Sequence, residues 1–105
     1  MINDEKYDTG KIFLSSLLSQ AIISSVDISK TVAEFITRYR NLDFGEVDEK
    51  ARQLNLINTI NKNISIGVYP LGEDFVVIFT IRQNEEKITS CMFIQEFLAS
   101  KNTHE

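Results

Sequence analysis

A single histidine, a single cysteine, a single proline, four glycines and no tryptophan leave this sequence short of the residues most enzyme chemistry is built from. The one cysteine, Cys91, has no second cysteine in the chain to form a disulfide with. One Cys and one His cannot assemble a structural zinc site from the usual ligands within a monomer. Neither a metal nor a cofactor is expected. The histidine, His104, stands next to the carboxyl terminus, where chain ends fray and nothing positions a general base. A serine or cysteine nucleophile then lacks its activator, and Cys91, inside an expected strand, reads as a small packed thiol. The reading is of a protein that is not an enzyme.

Long apolar runs are also missing. No stretch approaches the roughly 18 apolar residues of a membrane span, and no apolar signal segment opens the chain. The expectation is a soluble protein of a reducing cytoplasm, without membrane contact. Fifteen acidic against eleven basic residues give a net charge of −4. That balance lacks the basic stripe of a nonspecific nucleic-acid binder and the dense carboxylate array of a DNA mimic. Direct nucleic-acid binding is not expected.

What is present is periodicity. The 105 residues suffice for one core without staples, and Phe75 to Ile81 is the most apolar run. Residues 1–10 read as a flexible lead-in, 11–97 as a single α+β domain and 98–105 as a polar tail. Lys11 to Ser15 reads as a short strand, followed by a helical turn or two through Leu17, Leu18, Ala21 and Ile22. Ile28, Val32, Phe35, Ile36 and Tyr39 share one face of a helix from Ile28 to Arg40, capped by Asp27. Val47, Ala51, Leu54, Ile57 and Ile60 do the same for a helix from Asp48 to Lys62, with Asn55 on the opposite side.

Ile64, Ile66 and Val68 then alternate with Ser65, Gly67 and Tyr69 as a strand with one buried face. Pro70 stops it, the central strand runs from Phe75 to Ile81, and Lys87 to Ile94 forms the last. The expected architecture is a three- to four-stranded antiparallel meander packed by two amphipathic helices. Because the central strand is apolar on both faces, something must cover the second one. The amino-terminal strand and helix, Phe97-Leu98, or another copy of the chain are the candidates.

Asp43, Glu46, Asp48 and Glu49 form the densest carboxylate cluster. Their spacing does not fit a calcium loop, and Asp48 and Glu49 suit a helix N-terminus. Asp43-Phe44-Gly45 spells a kinase motif without any of its companions.

From Gly10 to Phe97 the chain resembles a group of short plasmid- and phage-borne proteins often labelled plasmid-related proteins or, misleadingly, type I restriction endonuclease subunit M. The matching positions are Arg38, Asp43-Phe44-Gly45, Asp48, Asn55, Val68-Tyr69, Val77-Ile78-Phe79-Thr80, Thr89-Ser90 and Glu96-Phe97. Here Tyr39 replaces the family His, Leu42 the first Gly, Phe44 the Trp and Ile81 a Glu, so the polar groups suited to acid/base work are lost.

The resemblance implies a structural role for Arg38, Asp43, Phe44, Gly45, Asn55, Tyr69 and Thr80, and an accessory protein of mobile DNA. The functional expectation is a non-enzymatic inhibitor of a host defence protein, of anti-CRISPR or anti-restriction type, contacting it through Asp43, Glu46, Asp48 and Glu49. The alternative is a self-associating structural or regulatory module, a homodimer paired through an uncovered sheet face or edge.

Overall fold

In a computed structural model, the described residues are 9–61, 65–83 and 86–102. The elements in chain order are β1 (Lys11–Leu14), α1 (Ser16–Ser24), α2 (Val26–Arg40), α3 (Glu49–Asn61), β2 (Ser65–Leu71), β3 (Asp74–Gln83), β4 (Glu86–Phe93) and α4 (Ile94–Asn102). The fold is α+β. No described helix is long and apolar enough to cross a membrane.

Strands β2, β3 and β4 form the expected antiparallel meander. The sheet as a whole is nevertheless mixed, in the order β1-β4-β3-β2, because β1 lies parallel to β4. A purely antiparallel sheet is thus corrected. No hairpin joins β1 to β4; the connection between them runs from residue 15 to residue 85, and a parallel pair requires a long crossover. There are also four helices among the described residues, where two were expected.

Helices α1 and α2 cover one face. Leu18, Val32, Phe35 and Tyr39 from these helices meet Tyr69, Val76, Ile78 and Cys91 from the sheet in one buried cluster. Serines start both helices: Ser15 Oγ accepts from the Leu18 N–H and Ser25 Oγ from the Ile28 N–H. Helix α2 therefore begins at Val26, ahead of the expected Asp27 cap.

The second face carries Val77 and Phe79, and α4 lies on it, with the Phe97 ring 5.3 Å from that of Phe79. Over Ile94–Asn102 this helix takes the place of the end of the expected strand and the first part of the expected tail. Glu96 explains the switch. Its Oε2 accepts from the Phe93 N–H at 2.9 Å and from Ser15 Oγ at 2.9 Å. The first bond is half of a capping box, which stops the ladder and starts the helix at Ile94. The second joins the N-termini of α1 and α4 at one carboxylate.

Thr9 and Gly10 of the expected lead-in are among the described residues. Thr9 is buried and its carbonyl accepts a hydrogen bond from Thr89, so it belongs to the body of the domain. Residues 1–8 and 103–105, including His104, lie outside the described residues.

Burial departs from hydropathy in β2 and at one pair of positions in α3, where the side chains of Ile57 and Ile60 lie outside the described residues. In β2 it is Ser65, Gly67 and Tyr69 that are buried, while Ile66 and Val68 are half-buried. In α3 Asn55 is buried and Leu54 is 57% exposed. The burial of Asn55 follows from hydrogen-bond demand at the edge of β2, and that of Ser65, Gly67 and Tyr69 from the packing and bonding of two tyrosines, both described below.

Glu96→Ala is expected to destabilise the protein by about 1–2 kcal/mol through loss of the cap and of the Ser15 tie. Urea denaturation measures it, and Glu96→Gln, which keeps an acceptor oxygen, is expected to cost less.

Candidate functional site

Arg38, Asp43, Phe44, Gly45, Asn55 and Tyr69 gather where α2 ends against the outer edge of β2, and Thr80 lies behind them on β3. The Leu42 N–H donates to Tyr39 O at 3.0 Å and the Asp43 N–H to Arg38 O at 2.8 Å. These two bonds define a Schellman ending, whose last helical turn is followed by a residue of positive φ. That residue is Leu42, with φ of 69°. A leucine in this region costs roughly 1–2 kcal/mol.

The turn is clamped by side chains. Arg38 Nε donates to Asp43 Oδ2 at 2.7 Å and its second nitrogen to Oδ1 at 3.3 Å, a two-pronged pair. The Gly45 N–H donates to the same Oδ1 at 3.1 Å, closing a turn around the aspartate. The Arg38 guanidinium also stands 5.1 Å from the centre of the Tyr69 ring, which stacks on Phe35 at 5.0 Å. Tyr69 donates its hydroxyl proton to Asp43 O at 2.6 Å. Burial raises the Tyr69 phenol far above its ordinary pKa, fixing it as a neutral donor. Phe44 is buried edge-on against Tyr39.

This corner then closes the sheet. The Val68 N–H donates to Phe44 O at 3.0 Å, and the Glu46 N–H donates to Val68 O at 2.6 Å. Gly45 bridges Val68 in parallel, and a Cβ on Gly45 would stand 2.1 Å from Val68 O. Its φ of 73° adds a second reason for glycine. One turn further along, the Asn55 amide does for Ile66 what a neighbouring strand would do. Nδ2 donates to Ile66 O at 2.6 Å, and the Ile66 N–H donates to Oδ1 at 3.0 Å. Burying Asn55 in place of Leu54 is the consequence. Pro70, next in the outward series, has no N–H to satisfy.

Behind the corner runs a buried hydroxyl chain. Tyr39 Oη lies 2.7 Å from both Ser65 Oγ and Thr80 Oγ1, and Thr80 Oγ1 lies 2.7 Å from Thr89 Oγ1. Thr89 donates to Thr9 O at 2.6 Å. Each hydroxyl has one proton. With the Thr89 proton committed to a carbonyl, Thr80 donates to Thr89. The Tyr39 hydroxyl proton has Thr80 Oγ1 at 2.7 Å and the Ser65 carbonyl at 3.3 Å within reach. Gly67 leaves room for the rings: a Cβ there would stand 2.7 Å from the Tyr69 hydroxyl and 3.1 Å from Tyr39.

The four carboxylates of the acidic cluster are exposed, but they do different things. Asp43 is paired with Arg38, and that hydrogen bond holds its carboxyl below the usual range. The same bond raises Arg38. Asp48 caps α3 by accepting from the Ala51 N–H at 2.7 Å. Glu49 accepts from Arg52 at 2.6 and 3.1 Å and from Gln53 at 3.0 Å, which lowers its pKa. Among the described residues, only the Glu46 carboxylate of the four takes no hydrogen bond. The cluster is therefore less negative than the sequence implies, with Arg38 and Arg52 interleaved.

Thr9, Tyr39, Ser65 and Thr89 were outside the expected site. Tyr39 reads as apolar by helical spacing and Ser65 as outward by strand alternation. The available signal was the pairing of Thr80 with Thr89 and of Ser65 with Thr80 across the meander. Cys91 is buried, and burial pushes its thiol up to about 12. It is a neutral packed side chain at pH 7. Among the described residues no three His, Cys, Asp or Glu gather in a way that could hold a metal ion.

Comparisons with protein-family models, curated proteins and solved structures give no match. Arg38 and Asp43 bond to each other, Asn55 and Tyr69 reach backbone groups, and Thr80 bonds to Tyr39 and Thr89.

Tyr39→Phe removes the middle of the hydroxyl chain and is expected to cost about 1–3 kcal/mol, measured by urea denaturation. A cost below about 0.5 kcal/mol would show that the chain does not support the fold. The Asp43 carboxyl has a lower pKa folded than unfolded, so its stabilisation is present above its ordinary value of 3.8 and is lost as pH falls through the folded value. Asp43 and Arg38 side chains are 51% and 41% exposed, so Asp43→Asn is expected to cost no more than about 1 kcal/mol at pH 7. That difference from the parent should vanish in acid denaturation below the folded pKa.

Proposed function

We propose that the chain is a non-enzymatic interaction protein of a phage or mobile element, acting in the cytoplasm as an inhibitor that binds a host defence effector of the CRISPR or restriction kind. The observation that carries this reading is the use made of the motif. Arg38, Asp43, Asn55, Tyr69 and Thr80 direct their polar atoms into hydrogen bonds that hold the corner together. What the corner offers outward is a surface of fixed shape. Asp43, Glu46, Asp48 and Glu49 are displayed on it, between a helix end and a closed sheet edge.

Rigid display favours recognition of a large partner, because little conformational freedom is lost on binding. A basic nucleic-acid channel is the complementary surface for exposed carboxylates. The resemblance to short proteins of mobile elements supplies the biological setting. Asp43 and Glu49 are matched by neighbouring arginines, so Glu46 and Asp48 carry most of the proposed attraction.

The test is protection of phage. In bacteria carrying a CRISPR or type I restriction system, expression of the chain is expected to raise the plaquing efficiency of a targeted phage about ten-fold or more, and purified effector should co-elute with it. Glu46→Lys combined with Asp48→Asn, which keeps a capping side chain, is expected to weaken binding about ten-fold, or 1.4 kcal/mol. No protection against either class of effector overturns the inhibitor reading. Full protection by the double variant overturns the contact assignment alone.

A further inference from the structure

The two edges of the sheet are treated differently. The outward groups of β2 are met at Ile66 by Asn55 and at Val68 by Phe44 and Glu46. At the other edge the Ser15 N–H donates to Cys91 O, so in the parallel register Lys11, Phe13 and Ser15 turn their backbone groups toward β4. The N–H and C=O groups of Ile12 and Leu14 therefore point away from the sheet. Among the described residues nothing bonds to them. Apolar side chains surround this open edge: Phe13 is 54% exposed, Leu14 39% and Leu17 55%.

We propose that two copies of the chain associate through β1, antiparallel about a two-fold axis at Phe13, to form a continuous eight-stranded sheet. The register is self-complementary. Ile12 of one copy faces Leu14 of the other, and each such pair exchanges two backbone hydrogen bonds. Phe13 faces Phe13 of the second copy at the non-bonded position, where side chains approach most closely. Lys11 falls opposite Ser15 of the second copy.

Charge supports the same occupant. Ser15 is bonded to Glu96, and Lys11 and Ser15 lie on the α4 side of the sheet, as their alternation with Ile12 and Leu14 requires. The pairing thus carries each Lys11 ammonium toward the Glu96 carboxylate of the second copy, twice by symmetry. No like charges meet.

Space is sufficient as well. The two β4 strands would be three strand spacings apart, about 14 Å, and α4 packs on β3 and β4. Two helices of about 10 Å diameter fit side by side over that width. On the other face α1 packs on α2 and β4, inward of the edge. The contact is small by the standard of stable interfaces, so the dimer is concentration-dependent.

Sedimentation of the full chain across a concentration series is expected to show a monomer–dimer equilibrium with a dissociation constant in the micromolar range. Phe13→Glu and Phe13→Lys, both at an exposed position, are each expected to weaken it at least about ten-fold, while an equimolar mixture of the two restores a heterodimer. Phe13→Cys is expected to give a disulfide-linked dimer in oxidised glutathione, since facing non-bonded residues lie within disulfide reach. A wild-type chain that stays monomeric up to about 1 mM overturns the proposal. Dimerisation without charge rescue or cross-linking overturns the register and assigns the contact to another surface.

Discussion

The constraint on which the rest of this structure depends is the need to satisfy the outer backbone groups of β2. An edge strand exposes a row of donors and acceptors that no apolar packing can satisfy. The chain meets that demand with two devices, the Asn55 amide and the Phe44–Glu46 segment. Each device dictates sequence around it. The first turns α3 so that Asn55 is inside and Leu54 outside. The second requires the helix α2 to end sharply, which places Leu42 at positive φ and sets Gly45 against Val68. Arg38, Asp43 and Tyr69 then hold that segment in place.

Much of the architecture is legible in the sequence where one signal dominates. The apolar face of α2 is Ile28, Val32, Phe35, Ile36 and Tyr39, and hydrophobic spacing alone places it against the sheet. The β2–β3–β4 meander follows from alternation and short polar turns. Legibility fails where hydrogen bonding overrides hydropathy. Ser65, Gly67 and Tyr69 look like the wet side of β2, yet Tyr39 and Tyr69 supply the apolar bulk and each hydroxyl is hydrogen-bonded. Strand pairing between chain-distant segments is equally hidden, because nothing local in Lys11–Leu14 says that it will lie parallel to β4. The change from strand to helix at Phe93 depends on Glu96, a single carboxylate within an otherwise strand-like run.

The acidic cluster shows the same division. Its existence is plain in the sequence, but its electrostatics are not, since the partners of Asp43 and Glu49 are Arg38 and Arg52, on a neighbouring helix end and one turn along α3. Two carboxylates are screened at their source and two are left to act at a distance. The polar residues of the corner form a bracing arrangement, and the surface they brace carries the functional proposal.

Closure of β2 has one more consequence. A sheet with two open edges can add copies without limit and grow into a fibre, because every addition recreates the edge it consumed. Here the far edge is capped by Asn55 and the Phe44–Glu46 segment, and Pro70 has no N–H to give. Growth through strand pairing is thus possible on one side alone. Among the described residues, assembly that adds strand to strand through β1 is self-terminating, because it uses up the one open edge and leaves only the capped one.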